Sequence, residues 1–151
     1  MPFLTIRDVL RKVESFHGEF GRRLHAAEDT TIDKQAKLML RILGDHQRQL
    51  ASILGSVDED KEYKVATLKE WIQFDTEVED PFVYLEGFEV NPNATSEEVL
   101  GAANKLDVCL FCLYKSLAVG GSTPKAQRLF ARLARMELDH QKAKQSHSSY
   151  Y

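Results

Sequence analysis

No stretch of this chain reaches the ~18–20 consecutive apolar residues that a membrane-crossing helix needs. Neither sign of charge dominates. Twenty Lys and Arg against 23 Asp and Glu leave a net charge of −3, so nothing implies a nucleic-acid partner or a membrane surface. Cysteine is nearly missing. Cys109 and Cys112 are the only two, too few for a disulfide framework, and a cytoplasmic protein is the economical reading. The N-terminal "MPFLTIRDVLRKV" is charged and amphipathic, without the apolar core and small-residue cleavage site of a secretory signal.

What is there is ordinary in amount and ordered in pattern. The 151 residues, 43% hydrophobic and 28% charged, suit one domain able to bury most of its apolar surface. Four segments carry a helical period with start and stop signals. The first begins at Thr5, which caps with Asp8, and runs to about Ala27. The second follows "EDTT", capped by Thr30 or Thr31, and ends at Gly55. The third opens on "TSEE", where Thr95 and Glu98 form a capping box, and stops at "GGSTP". The fourth starts there, with Thr123 as cap and Pro124 at the first helical position, and frays near Gln145. Residues 1–145 thus form a single domain, and 146–151 read as a tail.

Short turns make helices one and two, and three and four, antiparallel hairpins. About forty residues separate Gly55 from Thr95, too many for a plain loop. Within them, 61–74 reads as a short helix docked through Trp71 and Phe74. Residues 75–94 read as an extended strap packed by Phe82, Tyr84 and Phe88. The expected architecture is all-α: a four-helix bundle with a long crossover between helices two and three, carrying an extra short helix.

Asp-His-Gln occurs twice, in "GDHQRQL" (44–50) and "LDHQKAK" (138–144). With ~100° per residue, His46 shares a face with Met39, Ile42, Leu43, Leu50 and Ile53. Glu137 and His140 share one with Phe130, Leu133 and Ala134. Asp107 falls among Ala103, Leu110, Phe111 and Tyr114. On the first helix His17 lies mid-stripe and Glu14 at its edge. Buried groups of this kind need partners, because desolvating them unpaired costs several kcal/mol. Hairpin symmetry supports a common level. Asp107 and Glu137 are equidistant from the third turn, and His17 and Leu43 from the first.

In these residues the chain resembles the ferritin-like superfamily in its rubrerythrin-like form. There, two helices each give a Glu and two give Glu-x-x-His around a pair of metal ions. Glu137-x-x-His140 fits that pattern, and Asp107 stands seven residues before Tyr114 as the family's Glu precedes its Tyr. The resemblance implies metal-dependent redox or peroxide-responsive chemistry. Two positions depart from the pattern. Leu43 stands where a bridging Glu is expected, and His17 replaces the first helix's Glu, with Glu14 one turn earlier. The remaining set, His17, His46, Asp107, Glu137 and His140, suits one Fe, Mn, Zn or Ni ion better than a di-iron centre, with Tyr114 lining the pocket behind the ligands. The other reading is a relic polar core in a non-catalytic bundle that serves association. Iron storage and hemerythrin-like binding fit less well.

Cys109-x-x-Cys112 lies mid-helix on the side away from Asp107, which points to packing rather than redox work. Gly18 and Gly21 within a helix each cost up to ~1 kcal/mol relative to Ala. A closely packed neighbour would explain them, and a second subunit in a homodimer is the expectation.

Overall fold

The computed structural model describes residues 3–57, 65–73, 80–120 and 123–148. Four long helices dominate: α1 (Ile6–Ala27), α2 (Lys34–Val57), α5 (Ser96–Gly120) and α6 (Pro124–Ser148). The crossover holds two short helices, α3 (Val65–Leu68) and α4 (Pro81–Glu86), and a strand β2 (Trp71–Gln73) that pairs antiparallel with β1 (Phe3–Thr5). No helix among the described residues is long and apolar enough to cross a membrane.

The ends of the long helices follow local chemistry. Thr5 and Asp8 close a reciprocal capping box at the start of α1, with the Asp8 amide donating to Thr5 Oγ1 at 3.1 Å and the Thr5 amide to Asp8 Oδ2 at 3.3 Å. Thr95 and Glu98 repeat it at α5. Thr123 Oγ1 accepts from the Ala126 amide at 3.2 Å to open α6, and its hydroxyl donates to Glu70 Oε2 at 3.0 Å. One cap differs from expectation. Asp33, not Thr30 or Thr31, accepts from the Ala36 amide at 3.0 Å and starts α2. Thr31 instead donates to the Ala27 carbonyl at 2.7 Å, closing the end of α1. Helix α6 continues three residues into the expected tail, to Ser148.

The crossover also departs from expectation. Within the predicted 61–74 helix the described residues are helical at Val65–Leu68, while Trp71–Gln73 instead pairs with the N-terminal strand, Leu4 opposite Ile72. Ile72 is buried there, while Trp71 is 65% exposed; Phe74 lies outside the described residues. The strap is partly helical, since Asp80 caps Phe82 at 2.9 Å and Pro81 takes the first position of α4. Its aromatic anchoring agrees with the sequence. Phe82 meets Phe16 edge-on at 5.7 Å between centroids, and Phe88 meets Phe20 at 5.2 Å. Tyr84 lies under the Lys105 ammonium. Arg23 Nη1 donates to the Leu85 carbonyl at 2.7 Å and fixes the strap to α1.

The direction of the helices follows from who meets whom. His46 touches His140 near the middle, and Ile53–Val57 share a groove with Leu129–Met136. Helix α2 is therefore antiparallel to α6 and parallel to α5, the arrangement a long crossover between hairpins demands. On α2 the buried line is Ala36, Leu40, Leu43, Gln47, Leu50, Leu54, with Met39 and Gly44 beside it. Ile53 is 49% exposed, so the buried face is centred about one residue away from where the sequence pattern put it.

The glycines separate by their surroundings. A Cβ on Gly21 would meet the Gly44 carbonyl oxygen at 3.1 Å, so the close neighbour is this chain's own α2 and not a second subunit. A Cβ on Gly44 would lie 2.6 Å from His25 Nε2, whereas Gly18 has nothing within 4 Å. Gly18→Ala is expected to stabilise by ~0.5–1 kcal/mol through helix propensity. Gly44→Ala is expected to destabilise by ~1–3 kcal/mol, because the His25 ring must leave Glu28 and Asp45 to make room. Urea unfolding measures both. Gly18→Ala that instead loses stability and weakens self-association would place a partner subunit on that face.

Candidate metal centre

The middle of the bundle is polar. His17, Asp107 and Glu137 are each 0% exposed and Gln47 is 1% exposed. One comes from each long helix, so four apolar stripes are interrupted at one level. The connections are specific. His17 Nδ1 lies 2.5 Å from Gln47 Oε1, and Gln47 Nε2 donates to Asp107 Oδ1 at 3.2 Å. His17 Nε2 lies 3.0 Å from Glu137 Oε1, a close approach of a buried imidazole and a buried carboxylate. Asp107 turns its other oxygen toward His140 Nε2, at 3.8 Å.

His46 stands at the rim. It is partly exposed, and its ring meets that of His140 edge-on with centroids 5.2 Å apart. That is about the separation of two imidazoles sharing one ion at N–metal distances of ~2.0–2.1 Å. Tyr114 is fully buried, and its hydroxyl has no hydrogen-bond partner among the described residues. Burial first, and then the Glu137 carboxylate, push its phenol well above the ordinary tyrosine range. Burial alone would pull the His17 imidazole down. The carboxylate of Glu137, the Gln47 amide and the charge of Asp107 outweigh it, and the net displacement is upward.

Of the residues expected at a site, His17, Asp107, Glu137 and His140 are brought together, and His46 reaches the group through His140. Glu14 is not part of it; its carboxylate lies against Gly55, where a Cβ would be 2.9 Å from Oε1. Leu43 is 1% exposed core. The residue the sequence pattern missed is Gln47. The signal was present: Gln47 stands between Leu43 and Leu50 at helical spacing, so it falls on the apolar line as a polar residue. The Asp-His-Gln repeat holds for the two histidines, which meet, while Gln47 turns to the centre beside them.

The donor set bears on what the centre could hold. Two carboxylates and no bridging Glu on α2 leave too little negative charge for two divalent ions in a dry site. Two carboxylates with two or three imidazoles do suit one. Among the described residues, no three His, Cys, Asp or Glu side chains converge closely enough to grip an ion as they stand.

No protein-family model matches the chain, and no curated protein does. Among solved structures, a Thermotoga maritima protein, provisionally described as a ferritin-like diiron-carboxylate protein, aligns with 97% of this chain and 95% of its own length, with a TM-score of 0.61 and 17% sequence identity. At that identity the likeness is one of fold: the chain has the ferritin-like fold.

Proposed function

We propose that this ferritin-like bundle binds one divalent metal ion at its centre, iron before manganese or zinc, in place of the two ions of the diiron-carboxylate proteins that share its fold. The observation that carries the reading is the setting of His17. Its Nδ1 is tied to an amide oxygen, as the non-ligating nitrogen of a metal-binding imidazole commonly is, and its Nε2 faces a buried carboxylate. His17, Glu137, Asp107 and His140 would hold the ion, with His46 at the solvent side. A bound ion would supply Lewis acidity and, if iron or manganese, one-electron chemistry. The protein's part is to keep the centre dry, hold Asp107 between Gln47 and His140, and line the space with the Tyr114 ring.

A second reading rests on its own observation. The polar groups reach one another directly, and no three ligands converge among the described residues. On that reading the centre is a self-satisfied polar core, and the bundle is a non-catalytic protein that works by association.

The two readings differ in solution. Chelated protein offered Fe(II), Mn(II) or Zn(II) is expected to take up about one ion per chain by elemental analysis. Its melting temperature should rise as binding adds about 2.7 kcal/mol at a hundredfold excess over Kd. His140→Ala is expected to lower the bound metal and erase most of that rise. Wild-type protein that retains no metal and melts unchanged with all three ions leaves the second reading standing.

A further inference from the structure

Gln47 is the one amide in the centre, and hydrogen-bond chemistry fixes what it does there. Gln47 Nε2 donates to Asp107 Oδ1 at 3.2 Å, so the NH₂ end of the amide faces that oxygen. The carbonyl end is then the one that faces His17 at 2.5 Å. A carbonyl oxygen only accepts, so His17 Nδ1 must carry a hydrogen. That leaves Nε2 as the ring nitrogen presented to Glu137, 3.0 Å away. One side chain on α2 thereby links the orientation of a group on α1 to a hydrogen bond with a group on α5.

We infer that Gln47 is the positioning residue of this centre, directing His17 Nε2 and the Glu137 carboxylate to form the edge at which a divalent cation enters. The ion-directing half rests on the metal-binding reading; the order of hydrogen bonds does not. Position matters because Gln47 is 1% exposed, so bulk solvent does not reach the amide. It also matters that Gln47 is neutral. A carboxylate here would still accept from His17 but would face Asp107 with like charge.

Two variants of the full chain test this. Gln47→Met keeps the side-chain length and removes both hydrogen bonds, whereas Gln47→Glu keeps the acceptor toward His17 and removes only the donor toward Asp107. Mn(II) is titrated by calorimetry into chelated protein, and the His17 ring nitrogens are read by nitrogen-15 NMR in alkaline, metal-free buffer. Gln47→Met is expected to weaken Mn(II) binding ~10–100-fold and to erase the difference between the two ring nitrogens. Gln47→Glu is expected to retain hydrogen-bearing Nδ1 and to bind Mn(II) at least as tightly as wild type. If Gln47→Met does not fold, Gln47→Glu decides alone: Nδ1 retained supports the role, and a scrambled ring overturns it. Gln47→Met that binds Mn(II) like wild type, with an unchanged ring spectrum, overturns the role of Gln47 while leaving metal binding intact. Wild type that takes up none of Mn(II), Fe(II) or Zn(II) overturns the ion-directing half together with the reading it rests on.

Discussion

Glu137→Leu is expected to lower the stability of the metal-free protein by about 3–5 kcal/mol, the cost of breaking one side of a buried charge pair. The carboxylate is 0% exposed and stands 3.0 Å from an equally buried imidazole. Deleting it leaves His17 with an Nε2 that faces hydrocarbon, and water cannot follow. Leucine has nearly the right bulk, so the loss is electrostatic and not a cavity. A double substitution separates the two terms. His17→Leu with Glu137→Leu removes both partners, and replacing a whole buried pair by apolar groups is often close to neutral. The double variant should therefore recover a large part of what the single variant loses. Urea unfolding with an unchanged slope reads both. A single variant within ~0.5 kcal/mol of wild type, as at an ordinary surface site, would show that the carboxylate is solvated and that the centre is open.

Phe20→Ala should cost about as much, ~3–5 kcal/mol, by a different route. Phe20 is 0% exposed on α1, 5.9 Å from Phe16 and 5.2 Å from Phe88. Phe16 in turn meets Phe82. Four aromatic rings thus clamp the crossover strap along one helix, and removing Phe20 opens a void at the joint between strap and bundle. The loss should be felt beyond the core. Amides whose hydrogen bonds depend on the strap's seat, Phe88 to Leu85 and Ile32 to Pro92, should exchange with solvent faster than the α5–α6 hairpin does. Phe82→Ala is expected to cost less, because that ring is only half-buried. Equal costs for the two would mean that the strap does not share the core.

The helices were legible where their signals are local. Thr5 with Asp8, Thr95 with Glu98, and Thr123 before Pro124 each act within one turn, so sequence alone places them. What failed was non-local or one step out of phase. Residues 71–73 look helical beside 65–68 and become a strand because Phe3–Thr5, some seventy residues away, supplies the partner. Thr30 and Thr31 look like caps, but Asp33 sits nearer the helix and Thr31 is drawn back to Ala27. The centre was legible in outline, since a His, an Asp and a Glu on apolar stripes have to find one another. Gln47 is hidden in a stripe counted from His46, because His46 lies at the edge of the buried face of α2 and not at its middle.

The centre joins two hairpins that are each local in sequence. The first half brings His17 and Gln47, the second Asp107 and Glu137, and the close contacts from Gln47 to Asp107 and from His17 to Glu137 run across the divide. Apolar faces are forgiving about how far one hairpin slides along the other, since Leu packs on Leu at several offsets. A slide of one turn, ~5.4 Å, would set two buried carboxylates and an imidazole against leucine. Buried polar groups fix register in coiled coils in the same way, one wrong alignment being costly enough to leave a single right one. The four residues therefore act as a vernier: whatever else they hold, they determine at which notch the two halves of the chain lock.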